Sequence, residues 1–485
     1  MERLTGIDAS FFYMETPAQH MHAVAVTILD PSETKGTSDL EAMRAELARR
    51  LVAMPAFRRR LAHFPLGLDH PAWIEAPVDV DRHVFRAALP SPGRRRQLEQ
   101  FVGDFASVPL ARDLPLWECC LLEGLEGGRL AMLVKVHHAI IDGVSGAQML
   151  AQLCDFEPVV PVEKAIVQDC TNAEPEPSLI DLALTSLRAR LVDPVRMGTA
   201  MLRTIRWGLQ AVTSSKDDES VTLPLAAPST PFSHALTPRR SAGFARASLE
   251  DVKKIKNAFG TTINDAVLAA CTRALRRQLE RRGCLPDRAL VASVPVSARR
   301  PGEHAASYNR VSAIFVGLPV HIADPVEQLR CVHADASAAK RMMGSLGKDM
   351  LGQWMELAPP LLFAQAMRLY SAFRLADLHA PVHNVVISNV PGPPVPLYVA
   401  GARVEALYPL GPILEGAALN ITVFSYRDAL DIGVVTCPDL VDDVGAIGDD
   451  IAAAVAELAA LADAEAYRAG TGAGLDVDLD HRTAA

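Results

Sequence analysis

Two histidines and an aspartate fall within six residues of one another in the run His137-His138-Ala-Ile-Ile-Asp142-Gly143. An imidazole, with an ordinary pKa of about 6.5, can accept a proton near neutrality. One imidazole of the pair therefore suits general-base work, with the Asp142 carboxylate holding the segment together. Other chemistries fit less well. A zinc site would require His-Glu-x-x-His or paired cysteines, and adjacent histidine side chains diverge too far to chelate one ion. No metal is expected. A serine nucleophile elbow requires Gly-x-Ser-x-Gly, and Gly143-Val-Ser145-Gly146-Ala147 lacks the last glycine. No Gly-x-x-x-x-Gly-Lys-Ser/Thr phosphate loop occurs.

The elements around this segment can position it. Leu130 to Val136 is apolar except for Lys135 and reads as a buried strand. Ser145 with Gln148 forms a capping box, and Met149, Leu150 and Leu153 follow at helical spacing. Residues 137–144 thus form a short connector from a strand end to a helix start, a place where both ends are held. A second helix is expected from Thr262, paired with Asp265 in another capping-box pattern, to a stop at Gly283. Leu290 to Val296, Ser312 to Leu318 and Asn384 to Ser388 read as strands, the last running into a rigid turn from Asn389 to Pro394. Leu419 to Tyr426 and Leu430 to Thr436 read as a hairpin about Arg427 and Asp428. Strands alternating with helices predict an α/β architecture with mixed sheets.

Composition narrows the classes further. The chain has 485 residues, 49% of them apolar and 22% charged, enough to bury a large core without cross-links. Its 48 basic residues against 57 acidic ones leave −9, and no long basic tract occurs, so bulk nucleic-acid binding is not expected. No long uncharged apolar stretch reads as a membrane span. The first residues lack a charged segment followed by an apolar one, so a cytoplasmic compartment is expected. The eight cysteines contain no Cys-x-x-Cys pair and read as buried reduced thiols. Nine lysines against 39 arginines reflect genome composition more than function. Texture divides the chain into a lobe over 1–155, a linker with amphipathic helices over 156–240, a second lobe over 241–465 and a disordered tail over 466–485.

Several segments together carry a resemblance. Leu4-Thr-Gly-Ile-Asp8 through Thr16, Met21-His22, Pro115-Leu116-Trp117-Glu118, the His137–Gly143 run, Asn264-Asp265-Ala-Val-Leu-Ala269 and Ser388-Asn389-Val-Pro391-Gly392-Pro393 occur in this order. Gly411-Pro412, Asn420 to Tyr426 and Pro438-Asp439 follow. The set resembles the bacterial wax ester synthase/diacylglycerol acyltransferase family, in particular its triacylglycerol synthases, over nearly the whole chain outside the linker. The His-His-x-x-x-Asp-Gly run alone is shared with chloramphenicol acetyltransferase-like enzymes and peptide-synthetase condensation domains.

The resemblance implies two chloramphenicol acetyltransferase-like lobes with an active-site tunnel between them. It implies acyl-CoA as co-substrate, no bound cofactor, and diacylglycerol or a long-chain alcohol as acceptor. It makes His138, the second histidine of the motif, the general base. His137 then either fixes the loop or acts directly. Asp142 either pairs with a buried arginine or contacts His138, and Gly143 lets the backbone turn or a ligand approach. Asn264 and Asp265 either simply cap their helix, or that turn faces His138 and Asn264 or backbone N–H groups stabilise the oxyanion of the tetrahedral intermediate.

The implied acceptors dissolve in membranes, so peripheral contact with the inner face of the plasma membrane or with lipid inclusions is expected. Ser178 to Thr213 holds five arginines and two aspartates among bulky apolar residues, and reads either as a lobe-spanning helix pair divided at Pro194 or as an interfacial one. The alternative reading of the chain is a condensation-type enzyme of the same fold. It would want a neighbouring carrier-protein segment, and none is recognisable here.

Overall fold

The computed structural model describes residues 2–32, 40–62, 69–140, 149, 152–158, 227–297, 311–346, 355–356 and 359–475. The strands are β1 (Glu2–Arg3), β2 (His22–Asp30), β3 (Arg59–Ala62), β4 (Ala72–Glu75), β5 (Val84–Ala88), β6 (Trp117–Glu123), β7 (Leu130–His137), β8 (Ser241–Ser248), β9 (Leu290–Ser297), β10 (Val311–Leu318), β11 (Val385–Pro391), β12 (Tyr398–Val399), β13 (Ala402–Leu410), β14 (Leu419–Tyr426) and β15 (Ala429–Thr436). The main helices are α1 (Gly6–Met14), α2 (Leu40–Ala53), α3 (Arg95–Ser107), α4 (Leu249–Phe259), α5 (Ile263–Arg281), α6 (Pro325–Leu346), α7 (Pro360–Ala372) and α8 (Val444–Leu475).

Two six-stranded mixed sheets carry the fold, in the orders β12-β13-β2-β7-β6-β5 and β10-β9-β11-β14-β15-β8. A small third sheet, β1-β4-β3, flanks the first. All eight residues of β7 are buried, because α2 covers one face and α3 with the second lobe covers the other. That double cover explains the near-continuous apolar run.

The first sheet is completed by strands from the second half of the chain. β13 lies antiparallel to β2, with Arg403 opposite Asp30 and Leu410 opposite Val24. The two sheets then meet where β13 crosses β15. A Cβ added at Gly433 would sit 2.0 Å from the Pro409 carbonyl oxygen, so only glycine permits this approach. The register of β13 shifts between Val404 and Ala406, and Asp431 of β15 accepts the Leu407 N–H beside the shift at 2.8 Å. Desolvation pushes the Asp431 carboxyl up to about 6, opposed by the Arg246 guanidinium paired with it at 3.2 Å.

The hairpin forms as its sequence pattern requires, with Leu419 opposite Thr436 and Tyr426 opposite Ala429. Thr262 and Asp265 close a reciprocal capping box at the start of α5, and Gly283 stands at φ 64° just past its end. Two expectations need correction. The rigid turn does not begin at Asn389: β11 stays paired with β14 as far as Pro391 opposite Ser425, since a proline costs little at a strand end. The tail is not irregular from 466: α8 continues to Leu475, through the helix-forming Ala-Glu-Ala-Tyr-Arg-Ala of 464–469.

Seven cysteines fall among the described residues and none is bridged. Five are buried, Cys284 is half-buried and Cys331 is exposed, so burial does not extend to all of them. The expected amphipathic helices of 178–213 lie outside the described residues.

Candidate active site

β7 delivers the histidine pair. It is anchored from within by Lys135, whose ammonium is fully buried. Its Nζ donates to the carbonyls of Phe105 and Val108 at 3.1 and 3.0 Å, at the C-terminal end of α3. It also meets Glu118 at 2.9 Å and lies 4.2 Å from the centre of the Phe105 ring. A cation at a helix C-terminus satisfies carbonyls that have no partner within the helix. Desolvation pulls the Lys135 pKa down, against the pull of Glu118. This tethers the strand to α3 two residues before His137.

α1 supplies what the histidines touch. Its N-cap is Thr5, whose hydroxyl accepts the Asp8 N–H at 3.2 Å. Both lobes hold the segment. Arg3 pairs with Asp69 at 2.8 Å and with Glu356 at 2.6 Å, and the Gly6 N–H donates to Glu356 at 2.7 Å. Gln19 accepts the Glu415 N–H at 2.6 Å. So fixed, α1 presents consecutive rings. Phe12 stacks on His137 at 4.2 Å with 4° between planes, and Phe11 lies 4.6 Å from His138.

The surroundings of His137 settle its tautomer. The Ala139 N–H donates to its Nδ1 at 3.1 Å, so that nitrogen carries a lone pair. The proton therefore sits on Nε2, which donates to Glu15 Oε1 at 3.1 Å. Glu15 in turn pairs with Arg112, whose guanidinium lies 4.8 Å over the Phe12 ring. His137 is fully buried, and desolvation, with Arg112 and His138 adding to it, holds its pKa well below the ordinary imidazole value. Both ring nitrogens are engaged, so this ring is shaped for holding the turn.

His138 is the first residue past β7. Its N–H donates to the Met21 carbonyl at 2.8 Å, which continues the β2–β7 ladder beyond the pair His22 and His137. The turn closes with the Ile140 N–H on the His137 carbonyl at 3.0 Å. The ring is half-buried against Phe11. Asp142, Gly143 and the expected cap Ser145 lie outside the described residues.

Beside the pair, a small pocket is lined by His20, His22, Val24, Ala106, Arg240, Leu410 and Ile413. His20 and His22 stack at 5.5 Å, and His22 Nε2 meets the Ala106 carbonyl at 2.8 Å. The Arg240 guanidinium donates to the carbonyls of Ala18, Thr237 and Arg239, binding the second lobe to the segment after α1.

Asn264 and Asp265 stand in the first turn of α5. Asp265 is buried, accepts the Thr262 N–H at 2.9 Å and meets His333 Nδ1 at 2.7 Å. Capping is thus visible for Asp265, and Asn264 is half-buried. Trp117 of the Pro-Leu-Trp segment is a packed corner. It has no exposure, donates its Nε1–H to the Phe57 carbonyl at 2.8 Å and stacks on His83 at 4.5 Å.

The sequence reading missed Glu15, Arg112, Phe11 and Phe12, although the segment from Leu4 to Thr16 figured in the resemblance. It also missed His333. The available signal was an acid at the end of an aromatic-rich amphipathic turn. Nothing local paired it with a histidine 122 residues away.

Two lobes built on mixed sheets, with a histidine pair at the end of a central strand, define the architecture of a class of acyl-transferring enzymes. A condensation domain of the calcium-dependent antibiotic synthetase shares this fold at TM-score 0.55 and 17% identity, over 95% of this chain and 96% of its own. The wax ester synthase/diacylglycerol acyltransferase from Marinobacter aquaeolei VT8 aligns at TM-score 0.69 and 26% identity, over 96% of this chain and all of its own. The family model for the wax ester synthase/diacylglycerol acyltransferase catalytic domain matches residues 4–267, and that for its C-terminal domain matches 308–459. A putative diacylglycerol O-acyltransferase of Mycobacterium tuberculosis is 37% identical over 464 residues, 94% of this chain and 90% of the relative. The chain belongs to the wax ester synthase/diacylglycerol acyltransferase family and is an acyltransferase.

Proposed function

We propose that the protein transfers a long-chain acyl group from acyl-CoA to diacylglycerol, giving triacylglycerol, with His138 as general base. A fatty alcohol is the second acceptor, giving a wax ester. The observation that carries the assignment is the division of labour in the histidine pair. Both nitrogens of His137 are engaged in holding the turn, whereas His138 is half-buried at the strand end.

The acceptor hydroxyl attacks the thioester carbonyl while an imidazole nitrogen of His138 takes its proton. The carbon–sulfur bond then breaks, and the imidazolium returns the proton to the departing CoA thiolate. Each bond made is matched by one broken, and a neutral imidazole supplies all the proton transfer needed. Both substrates must be held near His138 together.

Diacylglycerol resides in membranes, which supports work at the inner face of the plasma membrane or on lipid inclusions. No helix among the described residues is long and apolar enough to cross a membrane. Palmitoyl-CoA assayed with dioleoylglycerol and with hexadecanol tests the reading. Ester formation with dioleoylglycerol is expected, and failure with both acceptors would overturn it.

A further inference from the structure

We infer that the outer face of α7 is a docking surface for an anionic phospholipid membrane, placed to pass the acceptor lipid inward to His138. The inference rests on the reading of a lipid acceptor given above.

The exposed apolar side chains are not scattered. Of the ten large hydrophobic residues exposed among the described ones, six fall between Leu361 and Val382. Leu362, Ala366, Leu369 and Phe373 follow spacings of four, three and four, which aligns them on one face of the helix. That face looks outward: Leu362 is 68% exposed, Leu369 53% and Phe373 69%. The opposite face is apolar too and packs on α1, with Phe363 edge-on to Tyr13 at 5.9 Å. A surface helix of a water-soluble protein normally turns polar residues to water, and this one turns leucines.

Charge agrees with that occupant. α7 carries the exposed Arg368 and no acid, and just past its end Arg374 pairs with Asp377 at 2.9 Å. A helix with an apolar outer stripe and an exposed cation beside it matches an interface carrying anionic headgroups.

Continuity with the site supports the same occupant. One apolar cluster joins Phe363 and Ala364 of α7, through Tyr13, Phe12 and Phe11 of α1, to Ala139, the residue after His138. The helix that carries the outer stripe thus shares one apolar body with the residue beside His138.

The test uses the full chain and vesicles of phosphatidylcholine with or without phosphatidylglycerol. The wild-type protein should sediment with the anionic vesicles. The triple variant L362E/L369E/F373E should bind them at least about tenfold more weakly. It should lose activity on vesicle-borne dioleoylglycerol to a similar degree, while activity on a short-chain diacylglycerol dissolved as monomer stays unchanged. Phe373→Trp should show blue-shifted emission, quenched by brominated phosphatidylglycerol beyond the wild-type background.

Unchanged vesicle binding by the triple variant, or no quenching of Phe373→Trp, would overturn the inference. So would a wild-type dimer that the triple variant converts to monomer without vesicle binding by either, since the face would then cover a second copy. A large fall in melting temperature with vesicle binding retained would place a segment of the chain's own on that face, and would equally overturn it. Wild-type inactivity on the monomeric acceptor would instead count against the acyltransferase reading and leave the vesicle data to decide the docking.

Discussion

The Nε2 of His137 donates to Glu15, 122 residues earlier in the chain, at 3.1 Å. This bond fixes the ring that holds the turn under His138, and it is why a residue outside the motif belongs to the site. Glu15→Ala removes the acceptor and the partner of Arg112. It should lower kcat by about 10- to 100-fold through misplacement of His138, with little change in KM. Glu15→Gln, which keeps an acceptor oxygen, should recover part of the loss. Steady-state kinetics of both variants check this, and wild-type kcat in Glu15→Ala would contradict it.

Acid should unfold the protein by a definable route. Burial lowers the pKa of His20, His22, His70, His83, His137 and His383, with His20 and His383 brought to about 4. Below about pH 6.5 the unfolded chain takes protons on these imidazoles that the folded chain refuses. Stability is therefore intact above pH 6.5 and falls as pH drops toward 4. The fall is up to about 1.4 kcal/mol per pH unit for each of the fully buried His22 and His137, and less where solvent screens the group. Calorimetry in buffers of differing ionisation enthalpy should find uptake of about three or more protons on unfolding at pH 5.5. Uptake of about one or none would contradict this.

Gly433→Ala should weaken the crossing of β15 on β13. The new Cβ would fall 2.0 Å from the Pro409 carbonyl oxygen, and backbone cannot rotate away as a side chain can. A loss of about 1–3 kcal/mol is expected. Denaturant unfolding measures it, and a loss well under about 0.5 kcal/mol would show that the sheets separate easily.

How much of this was readable before the structure differs by element. β7 was legible because a strand covered on both faces must be apolar throughout, and the one exception, Lys135, announced itself. Its partners, the Phe105 and Val108 carbonyls, were not legible, because a helix C-terminus leaves no mark on a distant strand. The start of α5 was legible through Thr262 and Asp265, whose bonds are local. The His333 contact to Asp265, 68 residues away, was not. Periodicity tells which face of a strand is apolar and says nothing of which strand lies beside it. So the pairing of β13 with β2, with Arg403 opposite Asp30, could not be read from either segment. The His137–His138 segment was legible, and the ring-holding helix α1 was present only as a string of matching residues without roles.

Transfer should proceed without an acyl-enzyme. Of the thiols near the site in sequence, Cys119 and Cys120 are buried, and desolvation pushes Cys119 well up and Cys120 up to about 12, so neither is a thiolate near neutrality. Labelled acyl-CoA incubated without acceptor should leave no label on the denatured protein. Stoichiometric label discharged by diacylglycerol would require a nucleophile that the proposed mechanism does not contain.

The assignment of His138 as base is tested most directly by single-turnover acyl transfer from palmitoyl-CoA to dioleoylglycerol in His138→Ala, compared with His137→Ala. His138→Ala should fold with a melting temperature near that of the wild type and lose at least about 100-fold in rate. His137→Ala should lose less rate and more stability, because it breaks the bonds to Glu15 and Ala139. A folded His138→Ala protein transferring at the wild-type rate would contradict the account.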